Sequence, residues 1–384
     1  MLMTDERAGA MRVIHALGIT VDAVRRDPVL LILLAGFAAV QFLHPATAAE
    51  LFTRVDWRTV LTLTGLLVLT KAIELSSFLD WLAQRLLRAF RNERRLALLM
   101  VVFAAGLSTV LTNDVALFAV VPLALSLSRI APIRIERLII FLALAVNAGS
   151  SLTPLGNPQN LFLWQQSGMG FGAFVVLMAP LSLALMAVLL AITWCAFAPR
   201  ALHFHQQGPS HDVRWPLFAL SLVLFAGFVA LADHGLGPWA CALAVVPLLA
   251  VRRDAVLRID WLLLLIFVMM FIVLRGVAGL PALRTVLAHI DLDAGQTAYW
   301  AAAGLSQIVS NVPSAILLAD YSRKWPALAY GVSVGGFGLA VGSLANLIAL
   351  RMAKSARIWW RFHWASIPFF VLALGLGHAL QGAR

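Results

Sequence analysis

Charge is what this chain has least of. Of its 384 residues only 12% are Asp, Glu, Lys or Arg, about half the usual share, since charged residues make up about 25% of an ordinary soluble protein. Apolar residues reach 61% against the usual about 45–50%, and mean hydropathy is +0.90. So much apolar surface cannot be hidden from water. This excludes soluble enzyme folds and disorder alike and leaves an integral membrane protein. Cysteine is nearly missing. Cys195 and Cys241 both lie in apolar runs and supply neither a disulfide framework nor metal-site spacing. Residues 1–27 carry Arg7, Arg12, Arg25 and Arg26 but no apolar core. They read as a cytoplasmic segment ahead of an anchoring span, not as a cleavable signal peptide. The formal charge of +11 would suggest nucleic acid in a soluble protein. Here it reads as cationic cytoplasmic loops, with no nucleic-acid partner and no cofactor.

What is present is a series of apolar stretches at about 28–45, 59–78, 138–163, 173–198, 216–232, 238–251, 261–280, 326–350 and 364–381. An 18-residue helix covers about 27 Å, close to the hydrocarbon thickness. Two more stretches, about 96–128 and 297–320, do not fit simple spans. The first is flanked by Arg91, Arg94 and Arg95 before it and by Arg129, Arg134 and Arg137 after it, so both flanks belong on the cytoplasmic side. Its arms, about 96–111 and 115–128, are short for full crossings. A re-entrant hairpin accounts for both facts; two short spans with a buried turn are the alternative. With 297–320 as a second hairpin from the outer side, the topology closes. Arg200, Arg214, Arg252, Arg253, Arg258, Arg351, Lys354 and Arg357 fall inside, while Arg284, Arg323 and Lys324 are exceptions outside. The N-terminus is then cytoplasmic and the C-terminus outside. The expected fold is an all-α polytopic membrane protein of about nine full spans and two hairpins. It divides into a first half, 28–198, a cytoplasmic loop, 199–215, and a second half, 216–384.

The halves match. Asp56-Trp57 precedes one span and Asp260-Trp261 another, and fifteen residues beyond each Asp lies a cation at membrane depth, Lys71 and Arg275. Asn113 and Asn311 mark the two hairpins. Gly149, Gly156, Asn160 and Leu161 align without a gap to Gly335, Gly342, Asn346 and Leu347. In the topology above the copies run in opposite senses, the signature of inverted repeats in alternating-access transporters.

Four polar interruptions carry the candidate chemistry. Thr112-Asn113-Asp114 sits at the middle of the first hairpin. These residues suit a capped turn, but a carboxylate at membrane depth points to function, and Asp114 is the candidate for carrying a proton or a cation. Ser310-Asn311-Val312-Pro313 is its counterpart, with no carboxylate. The segment Asn147–Asn160 holds two prolines, two glycines and seven polar residues. Pro154 and Pro158 each remove a backbone donor, so the helix over 138–163 must break or kink; Thr153, Gly156 and Asn157 are candidates to line a substrate cavity. Gly331–Asn346, within 326–350, is the glycine-rich counterpart, with Gly342 and Ser343 as further lining candidates. Ser333 stands in the place of Asn147, and the two are candidates at the coupling ion. Close helix packing by small residues is the structural alternative.

Lys71 and Glu74 lie one helical turn apart and suit an ion pair; with Arg275 they are candidates for a charge role. Asp320 lies close to Arg323 and Lys324 and suits an interfacial pair. His203, His205 and His211 occupy a polar loop whose spacing matches no tight metal site. The acids expected at depth, Glu74, Asp114 and Asp320, are far apart in sequence and have no His pair, which argues against an intramembrane enzyme.

Thr112-Asn113-Asp114-Val115-Ala116-Leu117 with Pro122, Leu152–Asn160, Ser310–Pro313 and Gly342–Ala349 resemble the ion transporter superfamily. That group includes arsenite permeases, divalent anion/sodium symporters, citrate-metal symporters and some sodium/proton antiporters. The resemblance covers about residues 55–355 and is nearest to the arsenite-permease-like branch. It implies two hairpin tips meeting at a central site beside two unwound helices, and a scaffold against which a transport domain moves, commonly in a dimer. Symporter members carry Ser-Asn-Thr in each hairpin, whereas this chain has Thr-Asn-Asp and Ser-Asn-Val. The acidic first tip is similar to the arsenite-permease branch, where proton-driven efflux is usual. The expectation is a secondary transporter of a small anion or oxyacid coupled to H+, with Na+ as the alternative coupling ion. It would sit in the inner (plasma) membrane, its partners being the anion and the bilayer.

Overall fold

The computed structural model describes residues 27–87, 92–130, 133–202, 212–281, 285, 289–353 and 355–382. Arg7, Arg12, Arg25, Arg26, Arg91, His203, His205, His211, Arg284 and Lys354 lie outside the described residues. The regular elements among those described are helices. The first half contains α1 (Pro28–Leu43), α2 (Ala48–Arg54), α3 (Trp57–Leu75), α4 (Phe78–Leu87), α5 (Glu93–Val110), α6 (Asn113–Ile130), α7 (Ile135–Ser150), α8 (Pro158–Ser167) and α9 (Phe171–Ala196). There follow α10 (Trp215–Asp233), α11 (Gly237–Val251), α12 (Asp254–Leu257), α13 (Trp261–Ala278), α14 (Gly295–Val309), α15 (Asn311–Ala319) and α16 (Trp325–Gly335). A 3-10 turn at Ala340–Gly342 leads to α17 (Leu344–Met352) and α18 (Ala356–Gly382).

Among the described residues, four helices are long and apolar enough to cross a membrane: Phe171–Ala196, Trp215–Asp233, Trp261–Ala278 and Arg357–Gly382. Their outer faces are apolar. Val176 and Leu183 on α9 and Val223 on α10 are 73%, 65% and 71% exposed, which suits lipid and not water. Both anticipated hairpins are helix pairs, α5–α6 and α14–α15. Both anticipated interruptions are real breaks, at 151–157 and 336–343.

Three helices went unanticipated: α2, α4 and α12. The reason is visible in α4. It begins after Ser77, held at φ 60, and mixes polar with apolar residues, so hydropathy counting passes over it. Its Phe78 and Trp81 pack with Trp215 at ring distances of 6.0 and 5.7 Å. The last helix also starts earlier than its apolar stretch, because Arg357 and Arg361 occupy its first turns.

The chain forms two compact units that cut across the sequence halves. One comprises the chain up to Leu75 with Pro216–Ala288; the other comprises Ser76–Trp215 with His289–Arg384. Each half gives its opening helices to the first unit and its hairpin and broken helix to the second. In the first unit α3 packs on α11, and Gly65 makes the close approach possible. A Cβ there would lie 2.7 Å from the Phe228 ring and 3.1 Å from Cys241 Cα. The landmark acids start helices: Asp56 accepts from Thr59 N and Thr59 Oγ1, both at 3.1 Å, and Asp260 accepts from Leu263 N at 2.9 Å. In the second unit α7 packs on α5 and α16 on α14, so each broken helix lies on the first arm of its own hairpin.

Candidate functional site

The site is built in the second unit from the two breaks outward. After α7 ends at Ser150, Asn157 caps α8: its Oδ1 accepts from Asn160 N at 2.8 Å, and Pro158 occupies the first turn, where no donor is needed. Asn157 Nδ2 reaches back to the Ser150 carbonyl at 3.0 Å, closing the break across its own ends. The first hairpin tip is stitched to this loop. Asn113 N donates to the Gly156 carbonyl at 2.8 Å. Thr153 Oγ1 donates to the Thr109 carbonyl at 2.5 Å and accepts from Gly156 N at 3.1 Å. A Cβ on Gly156 would fall 2.4 Å from the Ser150 carbonyl and 2.5 Å from that of Ser108, so glycine is required for this approach.

The second break is held differently. Gln307, on α14, donates from Nε2 to the Gly335 carbonyl at 2.7 Å and accepts on Oε1 from Leu339 N at 2.8 Å. Ser366 Oγ accepts from Gly338 N at 2.9 Å, and His363 Nε2 accepts from Ala340 N at 3.2 Å. Because that amide can only donate, the His363 proton sits on Nδ1, which faces the Trp359 carbonyl at 2.8 Å. Ser310, at the second tip, has φ 78 and ψ 159, a region that only glycine occupies freely.

The two breaks meet through a crossed set of hydrogen bonds. Asn147 Nδ2 donates to Asn346 Oδ1 at 2.7 Å, and Ser343 Oγ donates to Asn147 Oδ1 at 3.0 Å. In return Ser333 Oγ faces Asn160 Oδ1 at 3.4 Å. Asn346 Nδ2 also binds the Gly336 carbonyl at 2.9 Å, and Asn160 Nδ2 that of Ser151 at 3.1 Å. Packing is crossed as well: α15 of the second hairpin lies on α8, and α17 lies on α6 of the first. Asn311 is buried, its Nδ2 3.2 Å from where a Cβ of Gly336 would stand. Asp114 is 7% exposed in the first turn of α6, where the helix's positive end favours a carboxylate. Thr112, 1% exposed, has no partner for its Oγ1 among the described residues. The same holds for Gln159 Oε1. Buried polar atoms of this kind call for an explanation.

A family profile described as citrate transporter matches residues 16–335. The chain belongs to the citrate transporter family. It is 45% identical over 350 residues to the inner membrane protein YbiR of Escherichia coli, covering 91% of this chain and 94% of that protein. It is 31% identical over 314 residues to an uncharacterized transporter of Methanocaldococcus jannaschii, covering 79% and 83% of the two chains. A putative transporter arsB of Dictyostelium discoideum matches at 23% over 125 residues, 33% of this chain and 22% of that protein. The protein is therefore a multi-pass membrane transporter and not an enzyme.

In this member of the family, the second unit brings together Thr112, Asn113, Asp114, Asn147, Thr153, Gly156, Asn157, Ser310, Asn311, Ser333, Gly342 and Ser343. The three residues singled out for charge lie in the first unit. Lys71 and Glu74 form the anticipated ion pair at 2.7 Å near the end of α3, with Glu74 half-exposed and Lys71 less so. Arg275 donates to the Arg54 carbonyl at 2.8 Å, closing the C-terminus of α2, and lies over Phe271. Gln307, His363 and Ser366, which hold the second break, carry no motif in the sequence, where Asn160 and Asn346 stand out only as aligned landmarks. The alignment of Asn160 with Asn346 was a usable signal. His363 and Ser366 lie beyond the region of resemblance and gave none.

Proposed function

We propose that this transporter moves a small anion or oxyacid by alternating access, with protons as the coupling ion, Asp114 as the proton carrier and the two halves as inverted repeats. The observation that carries this reading is the reciprocity of the central bonds. In the ungapped alignment Asn147 corresponds to Ser333 and Asn160 to Asn346, so the pair Asn147–Asn346 and the pair Ser333–Asn160 exchange under the repeat. The packing of α15 on α8 and of α17 on α6 exchanges likewise. Contacts that swap in this way are what a two-fold axis between repeats produces.

Among the described residues the site offers carboxamides, hydroxyls and backbone amides, with Asp114 its carboxylate and the imidazole of His363 engaged at the edge of the second break. That lining suits a weakly charged anion or a neutral oxyacid better than a strongly charged one, whose charge would need an opposing cation. A single carboxylate at depth suits proton carriage. In the same reading about nine spans and two re-entrant hairpins place the N-terminus inside and the C-terminus outside, the second unit moves as the carrier, and the protein forms a homodimer.

The test is flux in proteoliposomes holding the purified full chain, with arsenite, sulfate, acetate and citrate as probes, citrate being taken from the family's description. Accumulation of a probe under an imposed pH gradient supports the reading. Accumulation only under a sodium gradient establishes the sodium-coupled alternative. Flux of the same size without any gradient, by an uncoupled permease, overturns coupling altogether.

A further inference from the structure

Away from the crossed bonds, the second unit contains a cavity of about 770 Å³ between the start of α7 and the first turns of α18. Arg134, Glu136, Arg137, Phe141, Arg361 and Trp364 lie along it. Three arginines and one glutamate line this space. Glu136 is already engaged on both oxygens: it accepts from Ser355 Oγ at 2.6 Å and pairs with Arg361. Arg137 donates to the Ala196 carbonyl, closing the end of α9. The Arg134 side chain has no ion pair or hydrogen bond among the described residues, and its backbone N–H points at the buried Glu93 carboxylate at 3.4 Å. The cavity therefore holds more positive charge than its own residues balance. Beside the cavity, Trp364 and Trp360 are 81% and 70% exposed on α18. Exposed tryptophans of this kind mark the level of lipid headgroups.

We propose that this cavity is a binding site for a phosphate-bearing anion, supplied either by the headgroup of an anionic phospholipid or as free phosphate. Guanidinium groups grip phosphate through paired N–H donors, and arginine favours such contacts over water more readily than lysine does. Basic pockets between spanning helices at headgroup level hold anionic lipid headgroups on the same principle. The site would act on the broken helix directly, because Arg134 and Glu136 bracket the first residue of α7, whose far end carries Asn147. The inference rests on the membrane location alone and needs no particular substrate or coupling ion.

Native mass spectrometry of the purified full chain reads it without a transport assay. Protein is delipidated and then offered phosphatidylglycerol, phosphatidylcholine or inorganic phosphate. The variants are Arg134→Glu, the milder Arg134→Gln should the reversal fold poorly, and Arg253→Glu in the first unit as control. The expected result is retention of phosphatidylglycerol over phosphatidylcholine, reduced about fivefold by removal of one arginine and unchanged in the control. If inorganic phosphate raises the thermal midpoint, phosphatidylglycerol is held no better than phosphatidylcholine, and Arg134→Gln abolishes the phosphate effect, the site stands with free phosphate as its ligand. Equal retention of both lipids with no phosphate effect overturns the proposal, as does equal loss in the Arg134 variants and the control.

Discussion

At the first hairpin tip Asn113 follows a threonine and precedes a carboxylate; at the second, Asn311 follows a serine held at φ 78 and precedes a valine. The two breaks differ in the same manner. The first is proline-marked and closes on itself through Thr153 and Asn157, whereas the second is glycine-rich and is held from outside by Gln307, His363 and Ser366. Both end with asparagine side chains crossing to the opposite copy. The skeleton is thus shared while the polar chemistry is divided. One side carries the carboxylate of Asp114, and the other carries backbone strain at Ser310 and a set of external ties.

The largest effects are expected at the glycines where each broken helix meets its hairpin. A Cβ on Gly149 would lie 2.3 Å from the Ala105 carbonyl and 2.6 Å from Ala105 Cα. Backbone cannot yield there, so Gly149→Ala should cost about 3 kcal/mol, seen as a large drop in the thermal-unfolding midpoint in detergent. Gly335→Ala meets mainly a side chain, Ser306 Cβ at 2.4 Å and Oγ at 2.5 Å. It should cost about 2 kcal/mol, and Ser306→Gly should restore part of the loss. Equal behaviour of the two single variants, with no rescue, would show that the two approaches are not built as described.

The crossed bonds come next. Asn147→Leu removes the partner of both Asn346 and Ser343 and should cost about 2 kcal/mol, with a matching loss of melting temperature. Ser333→Ala removes the longer 3.4 Å contact and should cost only about 0.5 kcal/mol. Between these in size stands a gain. Ser310→Gly relieves the positive φ and should stabilise by about 1 kcal/mol, while Thr112→Gly at the first tip should not stabilise. A stabilising Thr112→Gly would remove the distinction between a strained and an unstrained tip.

Much of this frame was legible in the sequence because the medium leaves few choices. A chain in lipid must satisfy its backbone internally, so apolar runs read as helices and dense polar interruptions read as breaks. Pro154 and Pro158 marked the break, although not where α8 starts, and the aligned asparagines marked residues that do meet their opposite copy. Amphipathic α4 was not legible, because its pattern lacks a long apolar run. Nor were the ties of the second break, since a hydrogen bond from the C-terminal helix to a loop leaves no periodic trace. The grouping into units was also hidden. It follows from tertiary packing that takes the opening helices of both halves together, which no single stretch of sequence encodes.

The proposed proton carrier is the Asp114 carboxylate at the first hairpin tip. Its most direct test is Asp114→Asn in proteoliposomes, using the probe anion that the unaltered protein accumulates, with pH-gradient-driven uptake and anion-for-anion exchange measured side by side. The variant is expected to keep exchange, because the neutral lining and the crossed bonds remain, but to lose gradient-driven accumulation. Full accumulation by Asp114→Asn under the same pH gradient would contradict it.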